Sequence, residues 1–139
     1  MSLGYSGIAH KCAEDDHTVI YNYGGINLND PRYRNENHLC DGAIMIDKVC
    51  FPEPEIHEWI RKMPSGKKKL VRKRVPIALT DIPFDEYFTK EQIIIENCSN
   101  CWKASPSHHF DYIALHLLFI IFDEYQVTGE IPQDAYYVV

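Results

Sequence analysis

The stretch Ser105 to Val127, SPSHHFDYIALHLLFIIFDEYQV, decides how the rest of this chain must fold. Ser105 and Pro106 suit a helix N-cap and first helical residue, so the pattern predicts the longest element from about Ser107 to Val127. Phe110, Ile113, Ala114, Leu117, Leu118, Ile121 and Tyr125 form one stripe at helical spacing. Tyr112, Leu115, Phe119, Ile120 and Phe122 cover much of the remaining circumference, so the helix must be buried on most sides. Its uninterrupted apolar core spans only about 16 Å and carries His116 at its middle, which rules out a transmembrane reading. Gly129 and Pro132 end it.

A helix that apolar needs a sheet to cover it, and the preceding chain offers strands. Thr18 to Ile26, TVIYNYGGI, reads as a strand closing in a Gly turn. Gly42 to Phe51, GAIMIDKVCF, reads as a second, ended by Pro52, and Gln92 to Glu96 as a short further one. Leu70 to Leu79, LVRKRVPIAL, alternates enough for a strand, which Pro76 confines to a sheet edge. Glu53 to Met63 places Ile56, Trp59, Ile60 and Met63 at helical spacing, with acids in the first turn and Arg61 and Lys62 in the last. A helix stopped by Pro64, Ser65 and Gly66 is the expectation there. Asp81 to Phe88 makes one helical turn, and Asn27 to Asn37 a surface loop. The 139 residues thus predict one α+β domain over 1–139, a mostly antiparallel sheet packed against a long buried C-terminal helix.

The formal charge of −6 opposes bulk attraction to nucleic acid or anionic membrane. That charge is unevenly placed. Lys67, Lys68, Lys69, Arg72, Lys73 and Arg74 are six of the fourteen basic residues; without them the chain holds eight basic against twenty acidic residues, a net −12. The N-terminal MSLGYSGIAHKC has neither the cationic start nor the apolar run of a signal peptide, so a cytoplasmic location is expected. An odd set of cysteines, Cys12, Cys40, Cys50, Cys98 and Cys101, fits reduced thiols.

Cys98-Ser-Asn-Cys101 is the sharpest chemical pattern, because a tight turn can aim two thiolates at one tetrahedral zinc. His108 and His109 are candidates to complete that site, as are His10 with Cys12 and His38 with Cys40. A redox pair is disfavoured, since the cysteines leave a strand rather than open a helix. Packing of the thiols and Trp102 in a turn is the plainer account. His108, His109 and Asp111 also cluster at the mouth of the long helix, a geometry suited to a metal or to acid and base work, yet their spacing matches no hydrolase signature and exposed N-terminal helix residues are the plainer account.

The basic residues Lys67, Lys68, Lys69, Arg72, Lys73 and Arg74 are candidate partner-binding residues, or a charged strand edge that resists aggregation. Tyr21, Tyr23, Tyr33, Tyr136 and Tyr137 are candidates for a docking surface or for ordinary strand and tail positions. With no complete catalytic constellation, the expectation is a small non-enzymatic protein-binding or regulatory module, inhibitor-like or immunity-like, with a protein partner or homo-oligomer and no cofactor. A zinc-binding protein or metal-dependent enzyme using Cys98 and Cys101 is the alternative, and nucleic-acid binding through Lys67 to Arg74 the second.

Overall fold

The computed structural model describes residues 4–27, 40–98 and 111–138. In chain order the elements are β1 (Tyr5–Glu14), β2 (Thr18–Asn27), β3 (Gly42–Asp47), β4 (Glu55–Lys62), β5 (Lys68–Val75), α1 (Phe84–Thr89), β6 (Ile93–Glu96), α2 (Tyr112–Thr128) and β7 (Asp134–Val138). Five strands form one sheet in the order β6-β3-β2-β1-β7, and β4 and β5 form a second, two-stranded sheet. Every pairing is antiparallel. The expected architecture, α+β with an antiparallel sheet under one main helix, is what the chain adopts.

Strand periodicity sorts the side chains of the sheet. Ala9 on β1, Val19, Tyr21 and Tyr23 on β2, Ile44 and Ile46 on β3 and Ile93 on β6 are buried. They meet Ile113, Ala114, Leu117, Leu118, Ile121 and Phe122 of α2 in one core. Strand β1 passes close under the helix: a Cβ placed on Gly7 would lie 2.3 Å from the Ile113 side chain. That proximity explains the small residues at Gly7 and Ala9, and why β1 has so faint a strand signature in the sequence. Neither β1 nor β7 is anticipated by the pattern of large apolar residues.

Three expectations are corrected. Glu53 to Met63 does not form a helix; β4 occupies Glu55–Lys62, and all eight of its residues are exposed. The helical spacing of Ile56, Trp59, Ile60 and Met63 has no apolar surface to meet, while pairing with β5 satisfies the backbone. The strand expected to Phe51 ends at Asp47, where a 3-10 turn (Lys48–Cys50) tucks Cys50 and Phe51 into the core. Ser105 to Phe110 lie outside the described residues, and α2 starts at Tyr112 because Asp111 is extended and serves as its N-cap. The helix ends as expected at Gly129, whose N–H bonds to the Tyr125 carbonyl at 2.8 Å. No described helix is long and apolar enough to cross a membrane.

Candidate functional site

The hairpin β4–β5 is built around its tip. Met63 N–H donates to the Lys67 carbonyl at 2.7 Å, and Gly66 N–H to the Met63 carbonyl at 2.9 Å. Pro64, Ser65 and Gly66 therefore form a three-residue loop, with Gly66 at φ 84° supplying the left-handed residue that such loops require. What the sequence presents as a helix stop is a hairpin turn.

Register then decides which side chains share a face. Trp59 stands opposite Val71, Ile60 opposite Leu70 and Glu58 opposite Arg72. The aromatic and apolar pairs favour the ribbon, and Arg72 Nε meets Glu58 Oε1 at 2.8 Å. Toward the tip the pattern reverses, since Arg61 faces Lys69 and Lys62 faces Lys68. Like charges directly opposite one another oppose pairing. Residues 55–75 hold eight basic and two acidic side chains, and the remaining chain six basic and eighteen acidic, so a +6 arm stands on a −12 body. Apolar groups are interleaved with these cations: Ile60 is 67% exposed, Leu70 58%, Ile56 46% and Trp59 45%.

The arm is fastened at its root. Gln126 of α2, itself fully buried, accepts from Ile77 N–H at 3.0 Å just after β5 and donates to the Pro52 carbonyl just before β4. One side chain thereby ties both legs of the hairpin to the helix. Tyr125 donates to Glu53 Oε1 at 2.7 Å beside it. The Arg74 guanidinium lies over Gly129, where the carbonyl end of the helix dipole favours a cation.

Of the predicted partner-binding residues, Lys67, Lys68, Lys69, Arg72 and Lys73 are thus gathered on the arm, while Arg74 turns back to the helix end. Trp59, Arg61, Lys62 and Gln126 belong to the same unit and escaped sequence reading. The signal available for them was the cluster of cations on both sides of Pro64-Ser65-Gly66.

A second polar cluster lies in the core. Asp111 is fully buried; one carboxylate oxygen accepts from Ile113 N–H at 3.0 Å, and the other from the Tyr23 hydroxyl at 2.8 Å and the Cys98 thiol at 3.5 Å. Tyr23 in turn accepts from Cys98 N–H at 3.0 Å. Burial, with the Asp111 carboxylate next to it, pushes the Tyr23 hydroxyl far above its usual range, so it stays a donor. The cluster joins β2, the end of β6 and the start of α2, and Asp111 serves there as a cap. Cys101, His108 and His109 of the candidate zinc site lie outside the described residues. Cys98 lies within them, with its thiol directed at Asp111.

Of the supplementary ligands, His38 also lies outside the described residues, while His10 pairs with Asp134 at 2.5 Å, Cys12 donates to the Ile20 carbonyl at 3.4 Å, and both are exposed. Among the described residues no group of three or more His, Cys, Asp or Glu side chains is placed to hold a metal ion. Of the tyrosines, Tyr21 and Tyr23 are core residues, Tyr33 lies outside the described residues, and Tyr137 stacks on His116 at 4.4 Å. Among the described members of this set, Tyr136, 62% exposed, has the character of a docking residue.

Comparison with known proteins assigns no family: no family model matches the chain, and no curated protein or solved structure matches it.

Proposed function

We propose that this protein is a non-enzymatic binding module of the inhibitor or immunity type, whose contact element is the β4–β5 hairpin and whose partner is an acidic protein surface. One observation carries the reading: large apolar side chains, Ile60 and Leu70 foremost, stand exposed among cations on an arm whose root is locked to α2. Interfaces use this chemistry, with apolar and aromatic anchors at the centre and charges steering approach. The exposed aliphatics favour protein over nucleic acid, because most contacts to nucleic acid are hydrogen bonds to phosphate and sugar that aliphatic side chains cannot make. A locked root lowers the ordering cost of binding, and the −12 body repels competitors of its own sign from the rest of the surface.

Affinity capture with the native chain, the double variant Ile60→Ser and Leu70→Ser, and the variant Lys68→Glu, Lys69→Glu, Lys73→Glu tests this. A partner held by the native chain and lost from both variants, with unchanged thermal midpoints, is the expected outcome. A partner retained by both variants refutes the assignment to the hairpin.

A further inference from the structure

A two-stranded ribbon has two edges, and among the described residues no strand pairs with either edge of this one. Among the described residues no hydrogen bond from another element reaches the backbone of β4 or β5. From the bond between Met63 and Lys67 the ladder alternates, so Lys68, Leu70 and Arg72 are in non-hydrogen-bonded pairs and turn their N–H and C=O groups outward. These groups are a template for another strand.

The two edges differ in charge. Strand β4 mixes Glu55 and Glu58 with Arg61 and Lys62, whereas β5 reads Lys68, Lys69, Leu70, Val71, Arg72, Lys73, Arg74, Val75 with no acid. Cations point to both faces of β5 at both ends of its free portion, around an apolar centre. Such an edge repels a second copy of itself and any other basic strand. It is therefore closed to indiscriminate pairing and open to one kind of sequence.

We propose that the β5 edge receives an extended acidic protein segment as a third strand of the hairpin, with carboxylates opposite Lys68, Lys69, Arg72 and Lys73 and two apolar side chains opposite Leu70 and Val71. The inference rests on the hairpin being the protein-binding element, and it names the form the partner takes there. Backbone hydrogen bonds fix the register of the added strand, and the cations select its composition. Opposite charges across a strand pair relieve the like-charge opposition between Lys68 and Lys62 and between Lys69 and Arg61, so binding also steadies the tip.

The test is calorimetric titration of the full chain with the peptide Glu-Glu-Val-Val-Glu-Glu, and with the same peptide N-methylated at alternate residues in each of the two alternations. Charge and side chains are the same in all three, but N-methylation removes the bonds a strand must donate. The parent is expected to bind at least about tenfold more tightly than one of the methylated forms. Its affinity falls as salt rises, and it is lost with Lys68→Glu, Lys69→Glu, Lys73→Glu.

Equal binding of all three peptides overturns strand addition and leaves the acidic-partner reading standing, since charge alone then explains the contact. No binding of any of them also overturns strand addition, and the capture experiment above decides separately whether the hairpin binds protein. A mixed-sequence DNA duplex that displaces the bound peptide, and is lost with the same substitutions, overturns both.

Discussion

In the sheet, Val19, Tyr21 and Tyr23 alternate into a core closed by α2, whereas all eight residues of β4 are exposed. Both regions are antiparallel strands, yet burial holds the first and attachment holds the second. A two-stranded ribbon with no covered face is marginal in water. Here it is held by a short turn, two apolar cross-strand pairs and the bonds of Gln126 at its root. The lesson is that a strand can be specified by what it is tied to rather than by what it buries, and a strand of that kind keeps its side chains available.

Substitutions that act on one region and spare the other break this comparison or sharpen it. Leu117→Ala, in the middle of the core, should cost about 2–5 kcal/mol in denaturant unfolding and carry the whole molecule with it. Tyr23→Phe leaves Asp111 and the Cys98 N–H without the hydroxyl they share, and should cost about 1–3 kcal/mol by the same measurement.

Gln126→Ala strands the Ile77 N–H and the Pro52 carbonyl. Its expected loss is about 1–2 kcal/mol. Hydrogen exchange should quicken in residues 55–75 while the sheet stays protected. Equal quickening in both regions would show that the arm and the body are one cooperative unit. Ile60→Ser with Leu70→Ser removes one cross-strand pair and should loosen the ribbon by about 0.2–1 kcal/mol. Global unfolding of sheet and helix should shift by no more than about 0.5 kcal/mol, because neither side chain is buried in the core.

A pH series separates the regions again. Burial holds His116 below its ordinary 6.5, so the unfolded chain binds its proton more readily than the folded one. The stability from keeping this ring neutral is full above pH 6.5 and is lost progressively as pH falls below it. Glu14, lowered by its bonds to Lys11 and Lys48, adds a loss below its ordinary 4.5 with the same sign. His116→Phe keeps an aromatic ring on Tyr137 and should flatten the upper part of the thermal-midpoint curve. A curve unchanged by that substitution assigns the dependence elsewhere. Thiol labelling gives the smallest effect: Cys12 is exposed and should react well before Cys50, whose buried thiol is pushed up to about 11 by burial and Asp47.

How much of this was legible beforehand depended on whether a residue's partner is close in sequence. The body of α2, β2, β3, β5 and β6 could be read because each carries its own periodicity. The misreading of β4 came from Ile56, Trp59, Ile60 and Met63, whose spacing fits a helical stripe when no partner is visible. Only the register with β5 shows Trp59 against Val71 and Ile60 against Leu70. Strand β1 was missed because closeness to α2 demands small residues at Gly7 and Ala9, and these carry no strand signal. At the candidate site the cations were evident as a run. That they form one leg of an arm was not, since the tie is Gln126, more than fifty residues from Lys73 in the chain. Asp111 looked like a member of a surface group with His108 and His109, and its burial beneath Tyr23 depends on strand and helix meeting.

Attachment at its root, through Gln126 with Tyr125 and Arg74 beside it, also gives the hairpin a mechanical character. Eight residues of β4 at about 3.4 Å each make an arm of about 27 Å, supported at one end like a cantilever. A rotation of about 10° at its root sweeps the tip through about 5 Å, so a small rearrangement in the last turn of α2 becomes a large displacement of Lys67 and Lys68. The same lever works in reverse: a pull on the tip is delivered with high leverage to Pro52, Ile77 and the helix end, and the sheet carries little of the load.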